Sequence, residues 1–380
     1  MTGPKIERAR LRTALAGCGR IGERHARILA SAPESELVGL VDVNRGKAEA
    51  FAARHAGRPY SELGAMIAAE SPDLLAVCTP SGLHAEGVIA ASRAGVRNIV
   101  VEKPMALRLP DADAMIAACE ENGTRLFVVK QNRYNLPIKK LREALESGRF
   151  GKLVLGAVRV RWCRKQDYYD QASWRGTWAM DGGVFSNQAS HHVDMLAHMM
   201  GDVASVKAIS ATRLVSIEAE DTGLAVLRFA SGALGVIEAT TAARPEDLEG
   251  SISILGENGT VEVGGFAMNE ITVWKFADER PEDGEVLERY RTNPPDVYGF
   301  GHHEYYKDVF DAIAKDEAPF VDGREGRKSL EVITAIYESI ESGREVRFPF
   351  TPKASRLGRP SPLPAGEGRG EGVDETSNVP

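Results

Sequence analysis

Two groups of residues in this 380-residue chain have types and spacings that could do chemistry. The first is Gly17-Cys18-Gly19-Arg20-Ile21-Gly22, which follows the apolar run Ala14 to Ala16 and precedes a helical stretch. In such a unit the first glycine permits a tight turn, the second lets a pyrophosphate approach the backbone, and the third lets the helix pack closely on the strand. Free N–H groups at the helix start then face the phosphates. A second apolar run ends at Asp42, twenty positions beyond Gly22. A carboxylate there accepts hydrogen bonds from a ribose 2′-OH and repels a 2′-phosphate, so NAD is expected rather than NADP.

The second group is Asn187-Gln188-Ala189-Ser190-His191-His192-Val193-Asp194. Read as a helix, it puts Asn187, His191 and Asp194 on one face, beside an apolar stripe of Val193, Leu196, Ala197 and Met200. His192 points about 100° away and is expected to be structural. The adjacent pairs His191-His192 and His302-His303 lack the i, i+4 spacing of helical zinc ligands, so no metal is expected. Upstream, Trp162-Cys163-Arg164-Lys165-Gln166-Asp167-Tyr168-Tyr169 and Trp174-Arg175-Gly176-Thr177-Trp178 concentrate aromatic and cationic side chains. Aromatic faces pack on rings, and Arg forks grip carboxylate or phosphate, so an anionic, ring-bearing substrate is expected. Gln131 and Arg133 add polar groups where two halves of the chain would meet. Arg159 and Arg161 share one strand face and could serve a sheet face or an oligomer contact instead.

The elements that must position these residues fall into two blocks. From Arg12 to about Val129, short apolar runs alternate with helical stretches, which predicts a doubly wound parallel sheet of Rossmann type. Beyond about Gly151, LVLGAVRVRW, VKAISATRL, LAVLRFASGALGVIEATT and SISILGENGTVEV alternate with period two, and Ser231-Gly232 and Asn258-Gly259 sit at hairpin turns. The second block is therefore α+β, with a mostly antiparallel sheet and two late helices. Domains are expected at 1–129 and 130–350. From 351 to 380 the chain is rich in Gly, Pro, Glu and Ser and is expected to be disordered.

Composition narrows the function classes. The chain is 43% hydrophobic and 27% charged, with a net charge of −7 that argues against nucleic-acid binding. No apolar run approaches the roughly 18 residues of a membrane span, and the charged first residues lack the core of a secretion signal. Four cysteines without C-x-x-C spacing fit a reducing cytoplasm.

The run Val100-Val101-Glu102-Lys103-Pro104, after GCGRIGERH and the strand-end Cys78-Thr79-Pro80-Ser81-Gly82-Leu83-His84, resembles the glucose-fructose oxidoreductase/inositol dehydrogenase/MocA family over about residues 12 to 345. The resemblance implies NAD-dependent oxidation of a secondary alcohol on a sugar or polyol. It implies a large open antiparallel sheet whose free face makes a homodimer or homotetramer. It places Arg20, Ile21, Thr79, Pro80, His84, Glu102 and Lys103 at the cofactor. Lys103 becomes the cation that stabilises the alkoxide and His191 the base, a role suited to a group titrating near the operating pH. The family commonly has Asp where this chain has Asn187. Gln131, Arg133, Arg164, Tyr168, Trp174, Arg175, Asn187 and His191 are expected at the substrate. The motifs look most like the branch acting on UDP-N-acetylglucosaminuronate at C3 in surface-polysaccharide synthesis, with a 2-oxo acid as a re-oxidant of NADH in some members. An inositol or free-sugar dehydrogenase is the alternative, as is a non-catalytic regulator, although the retained Lys103 and His191 speak for an enzyme.

Overall fold

The computed structural model describes residues 10–291 and 301–360. Six strands, β1 (Leu11–Ala16), β2 (Ser35–Val41), β3 (Arg58–Tyr60), β4 (Leu74–Val77), β5 (Asn98–Val101) and β6 (Arg125–Val128), form a wholly parallel sheet in the order β3-β2-β1-β4-β5-β6. Helices α1 (Arg20–Ser31), α2 (Arg45–His55), α3 (Leu63–Glu70), α4 (His84–Arg93) and α5 (Leu109–Glu121) connect them. Helices on both faces explain why β4 is buried at every position and reads as an unbroken apolar run. The strand order reverses between β1 and β4, and the crevice beyond their carboxyl ends is where such sheets bind ligands.

Helix α6 (Leu136–Glu146) leads to the second sheet. Its strands are β7 (Leu153–Arg161), β8 (Val203–Ala211), β9 (Thr222–Phe229), β10 (Leu234–Thr240), β11 (Glu249–Gly256), β12 (Gly259–Gly264), β13 (Glu270–Phe276) and β14 (Val346–Arg347). Their order is β13-β12-β11-β7-β10-β9-β8-β14, antiparallel except for the parallel pair β7 and β10. The two hairpin turns fall where Ser231-Gly232 and Asn258-Gly259 placed them, and Gly232 takes the positive φ of +88° that favours glycine. The remaining α-helices are α7 (Gln166–Asp170), α8 (Ser190–Met200), α9 (Val286–Arg289), α10 (Gly301–Lys315) and α11 (Gly323–Ser342).

One face of the second sheet packs on α8 and α11 through Val158, Val160, Leu196 and Ile336. The other is open: Leu224, Val226, Leu234 and Val236 stand exposed across β9 and β10. On this face Arg161 pairs with Glu238 and Glu249, and Arg159 with Glu249 and Glu262. These arginines therefore belong to the sheet face.

The structure departs from the sequence reading at three points. Residues 351–360, expected to be disordered, are packed. Leu357 is buried, the Gly358 N–H donates to the Trp178 carbonyl at 2.8 Å, and the Glu338 carboxylate accepts the N–H groups of Lys353, Ala354 and Ser355. One buried leucine and a carboxylate cap suffice to order a segment whose composition is polar. The rest of the expected tail, 361–380, lies outside the described residues, as does the stretch just before Gly301. Second, α10 crosses back to the first sheet, where Tyr305, Tyr306, Val309 and Phe310 share a core with Leu15, Leu29 and Leu40. Third, α8 begins only at Ser190, so Asn187 sits in the preceding turn rather than on the helix with His191.

Candidate active site

A cavity of about 360 Å³ opens at the carboxyl ends of β1 and β4. Gly17, Gly19, Arg20, Ile21, Asp42, Thr79, Pro80, His84, Glu102 and Lys103 line it. Gly17 has φ +102°, and a Cβ there would lie 2.5 Å from the Cys78 carbonyl oxygen. A Cβ on Gly22 would lie 2.0 Å from the Gly17 carbonyl oxygen, so Gly22 serves helix packing and does not line the cavity. A Cβ on Gly19 would meet no protein atom within 4 Å. Packing does not demand glycine at 19, whereas a phosphate lying against the start of α1 would. Asp42 accepts the N–H groups of Cys18 and Asn44, each at 2.9 Å, which holds its carboxylate while leaving lone pairs for a ribose diol.

Lys103 lies just past β5, next to a cis Lys103–Pro104 bond. Glu102 anchors it: one carboxylate oxygen accepts the Lys103 N–H at 2.9 Å, and the other meets His25 at 2.8 Å and His302 at 3.5 Å. Burial alone would raise Glu102, but hydrogen bonds from the two histidines hold its carboxyl well below the usual range. Glu102 lines the cavity with its oxygens already engaged by protein. The Lys103 ammonium donates to the Asn187 carbonyl at 3.2 Å. Burial pulls this lysine below its ordinary range, opposed by Glu102 and Asp181 and reinforced by Lys130 and Arg175.

A larger cavity of about 640 Å³ adjoins the first. Arg20, Lys103, Gln131, Tyr168 and Asn187 line both, so the two spaces meet around Lys103. His191 opens onto the larger one, with its Nε2 2.8 Å from Gln131 Nε2. Burial, reinforced by Lys103 and Lys130, holds His191 well below the histidine range. It is therefore neutral at pH 7, and its Nε2 faces the Gln131 side-chain amide, a contact that a substrate hydroxyl could replace. Arg164 lines the larger cavity only, where it donates to Asp247 at 2.8 Å and stacks over Trp162 and over Tyr168 of the junction.

The other residues expected at the substrate divide between the smaller cavity and the protein interior. Arg133 lines neither cavity; its guanidinium forks onto Asp194 at 2.8 and 2.9 Å and reaches Glu325 at 3.0 Å. Asp194, with Lys130 3.2 Å away, completes a buried ion cluster beneath the site. A charge held this deeply must be paired, so Arg133 and Asp194 neutralise each other rather than a ligand. Trp174 and Arg175 line the smaller cavity, not the larger, and Arg175 donates to the Tyr168 hydroxyl at 2.7 Å. His192 is fully buried against Trp162, with a ring separation of 5.6 Å.

The chain matches the family model "Oxidoreductase family, NAD-binding Rossmann fold" over residues 11–130 and "Oxidoreductase family, C-terminal alpha/beta domain" over residues 142–348. It belongs to the GFO/IDH/MocA oxidoreductase family. Its cofactor is NAD, and its chemistry is that of the sugar and inositol dehydrogenases among its relatives. The WlbA dehydrogenase from Bordetella pertussis, solved in complex with NADH and UDP-GlcNAcA, is 46% identical, covers 92% of this chain and 100% of its own, and superposes with a TM-score of 0.86. The WlbA dehydrogenase from Chromobacterium violaceum, also solved with NADH and UDP-GlcNAcA, is 42% identical over 92% of this chain and 99% of its own, with a TM-score of 0.85. A myo-inositol 2-dehydrogenase from Thermotoga maritima is 29% identical over 89% of this chain and 98% of its own length. The two closely similar structures support the WlbA branch of the family.

This oxidoreductase also lines its site with residues that the sequence reading passed over. Asp247 and Phe266 enter the larger cavity from beside β11 and β12, and no local pattern marks them. Asp181, in the smaller cavity, is a buried carboxylate in the loop before Asn187. No local pattern separates it from Asp167 and Asp170 of the same aromatic and cationic stretch. No helix among the described residues is long and apolar enough to cross a membrane.

Proposed function

We propose that the chain oxidises the C3 hydroxyl of UDP-N-acetylglucosaminuronate, or a nucleotide sugar of the same type, in surface-polysaccharide biosynthesis. The observation that carries this reading is the 46% identity over 92% of the chain to a dehydrogenase solved with NADH and UDP-GlcNAcA. The geometry fits it: a dinucleotide crevice opens into a cavity large enough for a charged sugar at the point where Lys103, Asn187 and Gln131 stand.

NAD, when bound in the smaller cavity, supplies the acceptor for the hydride. Lys103 holds a positive charge against the oxygen that develops as an alkoxide and then a carbonyl. His191 accepts the hydroxyl proton on Nε2, displacing the Gln131 hydrogen bond. Arg20, Arg164 and Lys165 offer charge to the substrate's anionic groups, and Tyr168 a ring face. Because Lys103 and Lys130 weaken His191 as a base while burial brings Lys103 toward neutrality, proton acceptance by Lys103 is the second reading. The enzyme works in the cytoplasm, as a dimer or tetramer joined through the open sheet face, and a 2-oxo acid serves as re-oxidant.

Comparing kcat/KM for UDP-N-acetylglucosaminuronate, myo-inositol and free hexoses, with NAD and with added 2-oxoglutarate, tests the reading. The nucleotide sugar should be preferred by at least two orders of magnitude, the scale of about two lost charge-assisted contacts. Efficient oxidation of inositol or a free hexose in its place would assign the chain to another branch.

A further inference from the structure

Asp181 makes two hydrogen bonds that constrain the site. Its Oδ2 accepts the Gly176 N–H at 2.8 Å, and its Oδ1 lies 2.6 Å from the Asn187 side-chain nitrogen. The residue is 2% exposed. Burial raises its carboxyl to about 6, against the Gly176 N–H and the Arg175 and Lys103 charges, so it is ionised at pH 8. An ionised carboxylate can only accept, so the Asn187 amide must turn its NH₂ end toward it.

The rest of Asn187 is fixed. Its N–H donates to the Gly183 carbonyl at 3.0 Å, and its own carbonyl accepts from Lys103 Nζ at 3.2 Å and Ser190 Oγ at 2.9 Å. The remaining freedom is a half-turn of the amide, which exchanges a donor for an acceptor of nearly the same size. Among the described residues the amide oxygen has no hydrogen-bond partner, and Asn187 lines both cavities at the point where they meet.

We propose that Asp181 is a positioning residue that orients the Asn187 amide, presenting its oxygen to the shared space as the acceptor for a sugar hydroxyl at or beside the carbon being oxidised. The inference rests on the sugar-dehydrogenase reading above for the identity of the hydroxyl, but not for the orientation of the amide. It makes Asn187 a selector for hydroxyl donors, and Asp181 the group that enforces the selection without touching substrate.

Two measurements separate the parts. A neutron diffraction map of the deuterated protein at pH 8 should show the amide deuteriums of Asn187 facing Asp181; a carbonyl oxygen there, with a deuterium on Asp181, overturns the proposal whatever the substrate. In steady-state assays, Asp181→Asn should lower kcat about tenfold or more, because the turned amide leaves the hydroxyl without its acceptor, while the NADH dissociation constant stays within about threefold. The double variant D181N/N187D restores a carboxylate–amide pair with an acceptor facing the cavity, and should recover kcat to within about threefold of the parent. Equal losses of kcat and NADH affinity in D181N, with no recovery in the double variant, would make Asp181 merely structural and sink the proposal. A parent enzyme that turns over no sugar, with the amide oriented as expected, would remove the sugar hydroxyl as its partner and would count against the functional reading separately.

Discussion

Lys103 stands where the two cavities meet, and it does so from a fixed backbone. Glu102 accepts its N–H, and the Asn187 carbonyl holds its ammonium. Lys103→Met should therefore leave NAD bound and lower kcat by about 10²–10⁴-fold, the usual worth of a positioned proton or charge partner. His191→Asn should cost a similar factor in kcat. If Lys103 rather than His191 accepts the proton, the H191N loss will be under about tenfold and the acidic limb of the pH profile will persist. His192 offers a test of burial alone. Its ring is held at about 3, from 6.5, by desolvation. Below about 6.5 the unfolded chain takes a proton that the folded one refuses, so stability is full above that pH and falls toward pH 3. Between pH 7 and pH 4 the parent should lose up to about 3 kcal/mol more than His192→Phe, measured by denaturant titration. An equal loss in both would mean that His192 is protonated within the fold.

At the scale of elements, the turn between β1 and α1 separates glycine for packing from glycine for binding. A Cβ at 22 meets a carbonyl oxygen at 2.0 Å, while one at 19 meets nothing within 4 Å. Gly22→Ala should lower the melting temperature markedly even without cofactor. Gly19→Ala should melt within a few degrees of the parent yet bind NADH about tenfold or more weakly, because only the pyrophosphate needs the space. Equal behaviour of the two variants would mean that the turn serves one purpose. This turn was legible in the sequence because strand, glycine spacing and helix occur together, and the parallel and antiparallel sheets were legible from their periods. The start of α8 was not: Asn187 and His191 fit a helical face, but the chain enters the helix only at Ser190, and Asn187 reaches the cavity from a turn fixed by Gly183 and Lys103. Arg133, expected at the substrate, is instead held by Asp194 for a related reason. Periodicity shows which face a charge lies on, but not whether another buried charge has already claimed it. The segment 351–360 was hidden by averaging its composition with that of the residues after it, although Leu357 and the Glu338 carboxylate tether it.

At the scale of the whole molecule, three apolar clusters, one on each face of the first sheet and one on the second, and one open sheet face define the architecture. Helix α10 locks the first core to residues far along the chain, so the dinucleotide half depends on a segment after the second sheet. The exposed row Leu224, Val226, Leu234 and Val236, with its Arg159 and Arg161 ion pairs, is a surface that a second copy should cover. Light scattering should give a dimer or tetramer for the parent and a smaller species for V226D/V236D, with NADH binding retained. A monomeric parent would contradict that arrangement. The central claim, that the two cavities meet so that a sugar C3 faces the nicotinamide, is most directly tested with UDP-N-acetylglucosaminuronate carrying deuterium at C3. Mass spectrometry of the dinucleotide after one turnover should find the label in the reduced cofactor. Label retained at C3 while the cofactor is reduced, or no reduction with this sugar alongside ready reduction with inositol, would contradict it.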